Sequence, residues 1–292
     1  MKCLSPNWGM RASIVFISVG LVLGAAARAD DQKPMFNQFA AIEQQIGGRL
    51  GVAAVETENG RRIEHRADER FPMCSTFKFL LAAAILQQGD RYPLDRPISY
   101  NVEDLLEWAP ITRKHLSEGR MTVRDLAAAA IEYSDNTAAN LLLRIIGGPG
   151  KLTEYIRGIG DPVTRLDRAE PDLNSAIAGD PRDTTTPNAM VADLKLLLLG
   201  QQLSTNSRIQ LEAWMAASTT GAKRIRAGVP PAWRVGDKTG TGQNGAASDI
   251  AIVRRPERAP VLIVIYLAGS GAGIDRLNSA IAAVASLVAH SF

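Results

Sequence analysis

The sequence predicts an α/β (α+β) fold: one antiparallel sheet built from both chain termini with flanking helices, and an all-α lobe inserted between them. Three observations predict it. β-branched apolar runs cluster at the two ends of the chain, helical periodicity fills the middle, and no repeat or low-complexity linker separates the two. The chain has 292 residues, 46% hydrophobic and 22% charged, which excludes disorder and leaves ample material for a core.

Residues 1–29 read as an address rather than as structure. Lys2 and Arg11 form a basic flank, Ala12–Leu23 is apolar, and Ala27-Arg28-Ala29 is a small-x-small site before Asp30-Asp31. An apolar run of roughly 12–14 residues is shorter than the roughly 20 that span a bilayer. A signal peptide cut after Ala29 is expected, hence a periplasmic or secreted protein with no membrane attachment after cleavage. No Cys follows the apolar run, so a lipoprotein is not expected.

Lys2, Arg11 and Arg28 also account for the whole excess of 33 Lys+Arg over 30 Asp+Glu. The remainder is balanced and offers no basic face for nucleic acid. With Cys3 in the leader, Cys74 has no internal disulfide partner. His65, His115 and His290 lack ligand spacing, so no metal or cofactor is expected and a Ser-His-Asp hydrolase loses support.

Residues 30–70 and 219–292 supply the expected α/β lobe. Leu50–Val55 is a strand, Glu58-Asn59-Gly60 a turn, and 61–66 the returning strand of a hairpin. Trp233–Gly240, Asp249–Val253 and Val261–Tyr266 read as strands, and Ile274–His290 as a closing helix. The helical lobe, 71–218, contains Phe79–Gln87, Thr122–Tyr133 with Thr122 as N-cap, Thr137–Ile146 and Pro187–Leu199. Between the last two, Arg165–Pro187 is rich in Pro, Asp and Thr; a loop of that length inside a compact domain is usually functional.

Four short motifs carry the chemistry. Ser75-Thr76-Phe77-Lys78 opens a helix, with Lys78 one turn from Ser75 on the same face. A serine hydroxyl needs a neighbouring base to act as a nucleophile, and an amine of lowered pKa can serve. Ser134-Asp135-Asn136 joins two helices, where Ser134 or Asp135 could equally be a simple cap. Glu170-Pro171-Asp172-Leu173-Asn174 lies in the long loop, and Lys238-Thr239-Gly240 on a strand. Each is weak alone; the four in this order are specific.

S-x-x-K, S-D-N and K-T-G together mark class A β-lactamases and penicillin-binding proteins. The chain resembles a class A serine β-lactamase over essentially its whole mature length, with the serine β-lactamase/penicillin-binding-protein-like fold that this implies. Residues 165–187 resemble that family's omega loop, which an ion pair matching Arg168 and Asp183 staples. The resemblance implies two-step acyl transfer to a small β-lactam substrate by a monomer, without cofactor, giving antibiotic resistance.

In that scheme Ser75 attacks, and the backbone N–H groups of Ser75 and Thr241 form the oxyanion hole. Lys78, or Glu170 through a water, takes the proton, and Ser134 relays one to the leaving nitrogen. Glu170 and Asn174 hold the hydrolytic water. Asn136 binds the substrate's amide; Lys238, Thr239, Gly240 and Thr241 meet its carboxylate, with Arg224 as the supporting arginine. Tyr100 resembles the aromatic at the pocket rim, and Trp108 is expected in the core.

Two departures stand out. Cys74 matches one partner of a disulfide found in some carbapenem-hydrolysing relatives, but Gly242 occupies the other position. Ala169 stands beside Glu170 where many relatives carry a large aromatic. A penicillin-binding D,D-peptidase and a β-lactam sensor domain share the fold, but Glu170 with Asn174 favours the hydrolase. Penicillins and cephalosporins are the expected substrates, with weak carbapenem hydrolysis.

Overall fold

The computed structural model describes residues 1–2, 35–89 and 91–292. The expected apolar leader segment and the cut after Ala29 lie outside the described residues. By contacts the chain divides into Met1–Gln38 and Phe39–Phe292. The second unit holds the sheet and every helix from residue 77 onward. A first helix, α1, covers 35–46.

The sheet has five strands: β1 (Arg49–Glu56), β2 (Arg62–His65), β7 (Arg234–Thr241), β8 (Ala247–Arg254) and β9 (Val261–Ala268). Their order is β2-β1-β9-β8-β7, every pair antiparallel. Strands from both ends of the chain therefore share one sheet, meeting where β1 pairs with β9, as the sequence predicts. The turn between β1 and β2 forms where Asn59 bonds Glu56 and the Arg61 N–H, and Gly60 takes φ +74°. Every residue of β9 is buried, and all of β8 but its last, so both faces of the central sheet are covered. Helix α6 (Pro187–Leu199) lies against β1 and β9, and α9 (Ile274–Ser291) against β8 and β9.

The helical part is organised around α2 (Phe77–Gln87). Ten consecutive residues, Phe77–Leu86, are buried, so this helix has no polar face. Around it pack α3 (Val123–Glu132), α4 (Asn136–Ile146), α5 (Pro149–Gly158) and α7 (Thr205–Ala216). Thr122 caps α3 as expected, its hydroxyl accepting from the Asp125 N–H. Gly147, at φ +101°, closes α4.

Sequence periodicity does not single out α5 and α7. Their buried stripes are thin, Leu152 and Ile156 in one, Leu211, Trp214 and Met215 in the other, and the remaining faces are polar. Short pairs β3 (Phe71–Pro72) with β6 (Thr184–Thr185), and β4 (Pro97–Ser99) with β5 (Arg120–Thr122), are likewise too brief to show a period. The first of these pairs fixes the exit of the long loop beside the nucleophile motif. Among the described residues no helix is long and apolar enough to cross a membrane.

Gly51 shows how tightly β1 meets its neighbours: a Cβ there would stand 2.5 Å from the Phe71 ring and 2.9 Å from Pro187. Gly51→Ala should destabilise the protein by about 1–3 kcal/mol through overpacking. Urea denaturation measures this; an unchanged midpoint would show that the sheet face has room to spare.

Candidate active site

Ser75 lies in a 3₁₀ turn, Cys74–Thr76, that runs into α2. Lys78 follows one turn later, fully buried. Its Nζ donates to Ser75 Oγ at 3.0 Å, to the Ser134 carbonyl at 2.9 Å and to Asn136 Oδ1 at 2.6 Å. It also stands 3.0 Å from Glu170 Oε1, and Ser75 Oγ donates to that same oxygen at 3.3 Å. Burial pulls the ammonium below its ordinary range, against the opposing pull of Glu170.

The middle motif divides its work between neighbours. Asp135 is the N-cap of α4, accepting from the Ala138 N–H, and it also accepts from Ile111 N, Thr112 N and the Thr112 hydroxyl. Ser134, at φ +57°, turns instead to the two lysines: its Oγ is 3.4 Å from Lys78 Nζ and 3.0 Å from Lys238 Nζ. Lys238 is fully buried on β7 and held well below its usual range, first by burial and then by Lys78.

Strand β7 approaches the nucleophile because Gly240 has no side chain. A Cβ there would stand 2.7 Å from the Met73 carbonyl. Gly242 plays the same part for Cys74, whose Sγ lies 2.6 Å from the Cβ that residue lacks. Cys74 is free and buried, and burial followed by the Glu170 charge pushes its thiol up to about 12, so it is inert. Arg224 is buried behind the strand. Its guanidinium donates to the carbonyls of Gly240 and Ser248 at 2.7 Å each and to Thr241 Oγ1 at 2.7 Å. Thr239 Oγ1 pairs with Thr220 Oγ1 at 2.6 Å.

The long loop delivers Glu170 to the same place. Its two ends are joined by Arg168 and Asp183, Nε to Oδ2 at 2.6 Å, and Asp183 also accepts from the N–H groups of Asp167 and Arg168. Asn174 donates to Glu170 Oε2, and its own Oδ1 is buried without a hydrogen-bond partner. Asn140, on α4, brackets the Glu170 backbone: its Oδ1 accepts from Glu170 N at 3.0 Å and its Nδ2 donates to Glu170 O at 2.8 Å. The Glu170–Pro171 peptide is cis.

Ser75, Lys78, Ser134, Asn136, Glu170, Asn174 and Lys238 thus form one hydrogen-bonded group, with Thr239, Gly240, Thr241 and Arg224 along its strand side. Tyr100 does not join it. Only 5% exposed, its hydroxyl donates to the Thr112 carbonyl at 2.6 Å, so it is a core residue that props the 110–112 segment. Trp108, expected in the core, is 56% exposed; its indole donates to the Tyr133 carbonyl, and its own carbonyl accepts from Asn136 N. Trp108, with Tyr133 next to it, is therefore the exposed aromatic surface beside the Ser134 motif. Asn140 and Thr220 were missed by sequence reasoning, since neither belongs to a motif. For Asn140 the available signal was its place one helical turn after Asn136. Among the described residues no group of His, Cys, Asp or Glu side chains could hold a metal ion.

The family model described as "Beta-lactamase enzyme family" matches residues 34–292. Beta-lactamase Toho-1 of Escherichia coli is 44% identical over 280 residues, covering 95% of this chain and 96% of that protein. Beta-lactamase AST-1 of Nocardia asteroides is 48% identical over 256 residues, covering 86% and 81%. Among solved structures, the class A β-lactamase of the last common ancestor of Gram-negative bacteria is 57% identical, with a TM-score of 0.86, covering 87% of this chain and 98% of that one.

The Arg168–Asp183 pair generates a stability prediction. Asp183 is 1% exposed and takes three donors; an Asn there can keep the two N–H groups on its amide oxygen, but its NH2 faces the Arg168 guanidinium, which loses its acceptor and its counter-charge. Asp183→Asn should cost about 3 kcal/mol, toward the lower end for a broken buried pair because Arg168 keeps some contact with water. Thermal and urea unfolding would measure it; wild-type stability would mean that the loop is held by its other contacts alone.

Proposed function

The chain belongs to the class A serine β-lactamases and is a β-lactam hydrolase that gives antibiotic resistance, and we propose that it works through an acyl-enzyme on Ser75. One observation carries this reading: a fully buried Lys78 within 3.0 Å of both Ser75 Oγ and Glu170 Oε1. Nucleophile, amine and carboxylate share a single desolvated point, within reach of proton transfer among them.

In the first half-reaction Ser75 Oγ attacks the lactam carbonyl. The developing oxyanion is met by the backbone N–H groups of Ser75 and Thr241, a reading supported by the close approach of the strand to the Ser75 turn at Gly240. Two acceptors lie within reach of the Ser75 proton: Glu170 Oε1, and Lys78 Nζ in its neutral form, which burial favours. Ser134, bridged between Lys78 and Lys238, then gives a proton to the departing ring nitrogen as the C–N bond breaks. Asn136 orients the substrate's side-chain amide, and Lys238, Thr239 and Thr241 hold its carboxylate. Trp108 takes the rim position in place of Tyr100.

In the second half-reaction Glu170 draws a proton from water, the water oxygen attacks the ester carbonyl, and as the acyl C–O bond breaks a proton returns to Ser75 Oγ from Glu170, directly or through Lys78. The unpartnered Asn174 Oδ1 beside Glu170 supplies the second contact that such a water needs. Asn140 fixes the backbone that carries the base. We further propose that the protein is exported, cut after Ala29 and active as a monomer. We assign 30–70 with 219–292 to a sheet lobe and 71–218 to a helical one.

Glu170→Ala should acylate and then stall, giving a penicillin adduct on Ser75 by mass spectrometry, whereas Ser75→Ala gives none. Rapid turnover by Glu170→Ala without adduct would remove the deacylation assignment.

The substrate range rests on Thr241. Its hydroxyl is pinned by Arg224 at 2.7 Å and can donate to a substrate carboxylate, a bond worth roughly 1.5–3 kcal/mol to a charged group. We propose clear cephalosporinase activity beside penicillinase activity, with carbapenems turned over more slowly. Thr241→Ala should lower kcat/KM for cephalosporins by about tenfold or more and for penicillins by less. An equal loss for all classes, or no loss, would show that the hydroxyl does not set the range.

A further inference from the structure

A second pair of acidic residues lies where the long loop leaves and rejoins the body, away from the hydrogen-bonded group around Lys78. Asp161 precedes the loop, and Asp193 sits two turns into α6, beyond it. Asp193 is 2% exposed and Asp161 6%. Asp161 has one oxygen satisfied, accepting from Val163 N at 2.6 Å and Thr164 N at 3.1 Å. Its Oδ2 and the Oδ2 of Asp193 are both buried without a partner, and the two side chains are within hydrogen-bond reach of each other. Two bare carboxylates in that position would repel in a low dielectric; one proton between them converts repulsion into an O–H···O bond.

The surrounding contacts tie this pair to the loop stems. Thr164 Oγ1 meets Thr185 Oγ1 at 2.6 Å, and Arg165 N donates to the Thr184 carbonyl. Arg157, from α5, donates to the carbonyls of Asp161 and Thr164. We propose that Asp161 and Asp193 are positioning residues for deacylation: they share one proton, and the resulting bond joins the stem before the long loop to the helix after it, which keeps Glu170 in place.

The charged and titratable groups that face Asp193 are Asp161, Arg157 and Tyr155 from the α5 side and Tyr266 from β9. Burial lifts the Asp193 carboxyl and Asp161 lifts it further, to about 9, against the pull of Arg157. A carboxyl raised in the folded state gives stability that is full below its unfolded value, near 4, and that is lost as pH rises through the folded value, near 9. Above that point both carboxylates are charged and the stems part.

The consequence for catalysis rests on Glu170 as the water-activating base, so the test has one arm that ignores activity. Melting temperatures of wild type, Asp193→Asn and Asp193→Leu are measured from about pH 5 to pH 9.5. Wild type should lose stability steadily across that window. Asp193→Asn, whose amide can donate to Asp161 without titrating, should show a flatter profile and match or exceed wild type at the alkaline end. In the second arm, acylation and deacylation by a penicillin are followed separately, since Lys78 and Lys238 titrate on the acylation side. Wild-type deacylation should fall about tenfold as pH passes about 9 while Asp193→Asn keeps its rate, and Asp193→Leu should deacylate slowly at every pH. An Asp193→Asn melting profile parallel to wild type would overturn the shared proton. Wild-type deacylation by Asp193→Leu would overturn the positioning role. If Glu170→Ala itself deacylates quickly, the base assignment fails, and the melting arm still decides whether the pair shares a proton.

Discussion

The ammonium group of Lys78 governs the arrangement of the whole site. A buried cation is tolerated only when oxygen atoms replace its water shell, and here four do so within 3.0 Å from three separate stretches of chain: Ser75 Oγ, the Ser134 carbonyl with Asn136 Oδ1, and Glu170 Oε1. The core helix α2 carries the lysine to the middle of the molecule, the α3–α4 junction brings two oxygen acceptors, and the long loop brings a carboxylate. The fold satisfies the ammonium and assembles the reaction centre by the same contacts. Lys238 adds a second buried amine next to it, and burial first, then the Lys78 charge, weakens its hold on its proton.

Behind this centre lies a layer of residues that touch no reacting atom. Asp135 anchors the Ser134 turn to residues 111–112, Asn140 grips the Glu170 backbone, and Arg224 carries the backbone and hydroxyl of the K-T-G strand. Arg168 with Asp183, and in the proposal above Asp161 with Asp193, close the long loop at two levels. Such support permits a loop, the least regular part of the chain, to hold a base to hydrogen-bond tolerance.

Much of this was legible in the sequence. The paired strands of the two termini are β-branched and continuous, so their period is unmistakable, and β1, β8, β9, α6 and α9 appear within a few residues of their expected ends. Motif spacing anticipated the contact of Ser75 with Lys78 because helix geometry brings them onto one face. What stayed hidden is tertiary in origin. Helices α5 and α7 carry too few buried residues to announce themselves, and Asn140 acts through a backbone thirty residues away in sequence. The exchange of Tyr100 and Trp108 has the same cause. Both are large aromatics in an irregular stretch, and only the Thr112 carbonyl and the Tyr133 carbonyl, on different sides of that stretch, decide which ring goes inside.

The joining of the two chain ends at a single seam of the sheet has a consequence for biogenesis. Strand β1 pairs along its whole length with β9, from Arg49 opposite Ala268 to Glu56 opposite Val261. Until residues 261–268 have been synthesised, β1 has only the short β2 beside it and an open edge on the other side. Closing the sheet therefore draws together the two ends of the long stretch between Glu56 and Val261, a non-local pairing of the kind found in slowly assembling topologies. A ribosome stalled before β9, or a protease that trims the C-terminal strand and helix, leaves an unpaired apolar edge rather than a smaller working enzyme, and such an edge recruits other chains. The pairing that closes the sheet thus depends on residues 261–268.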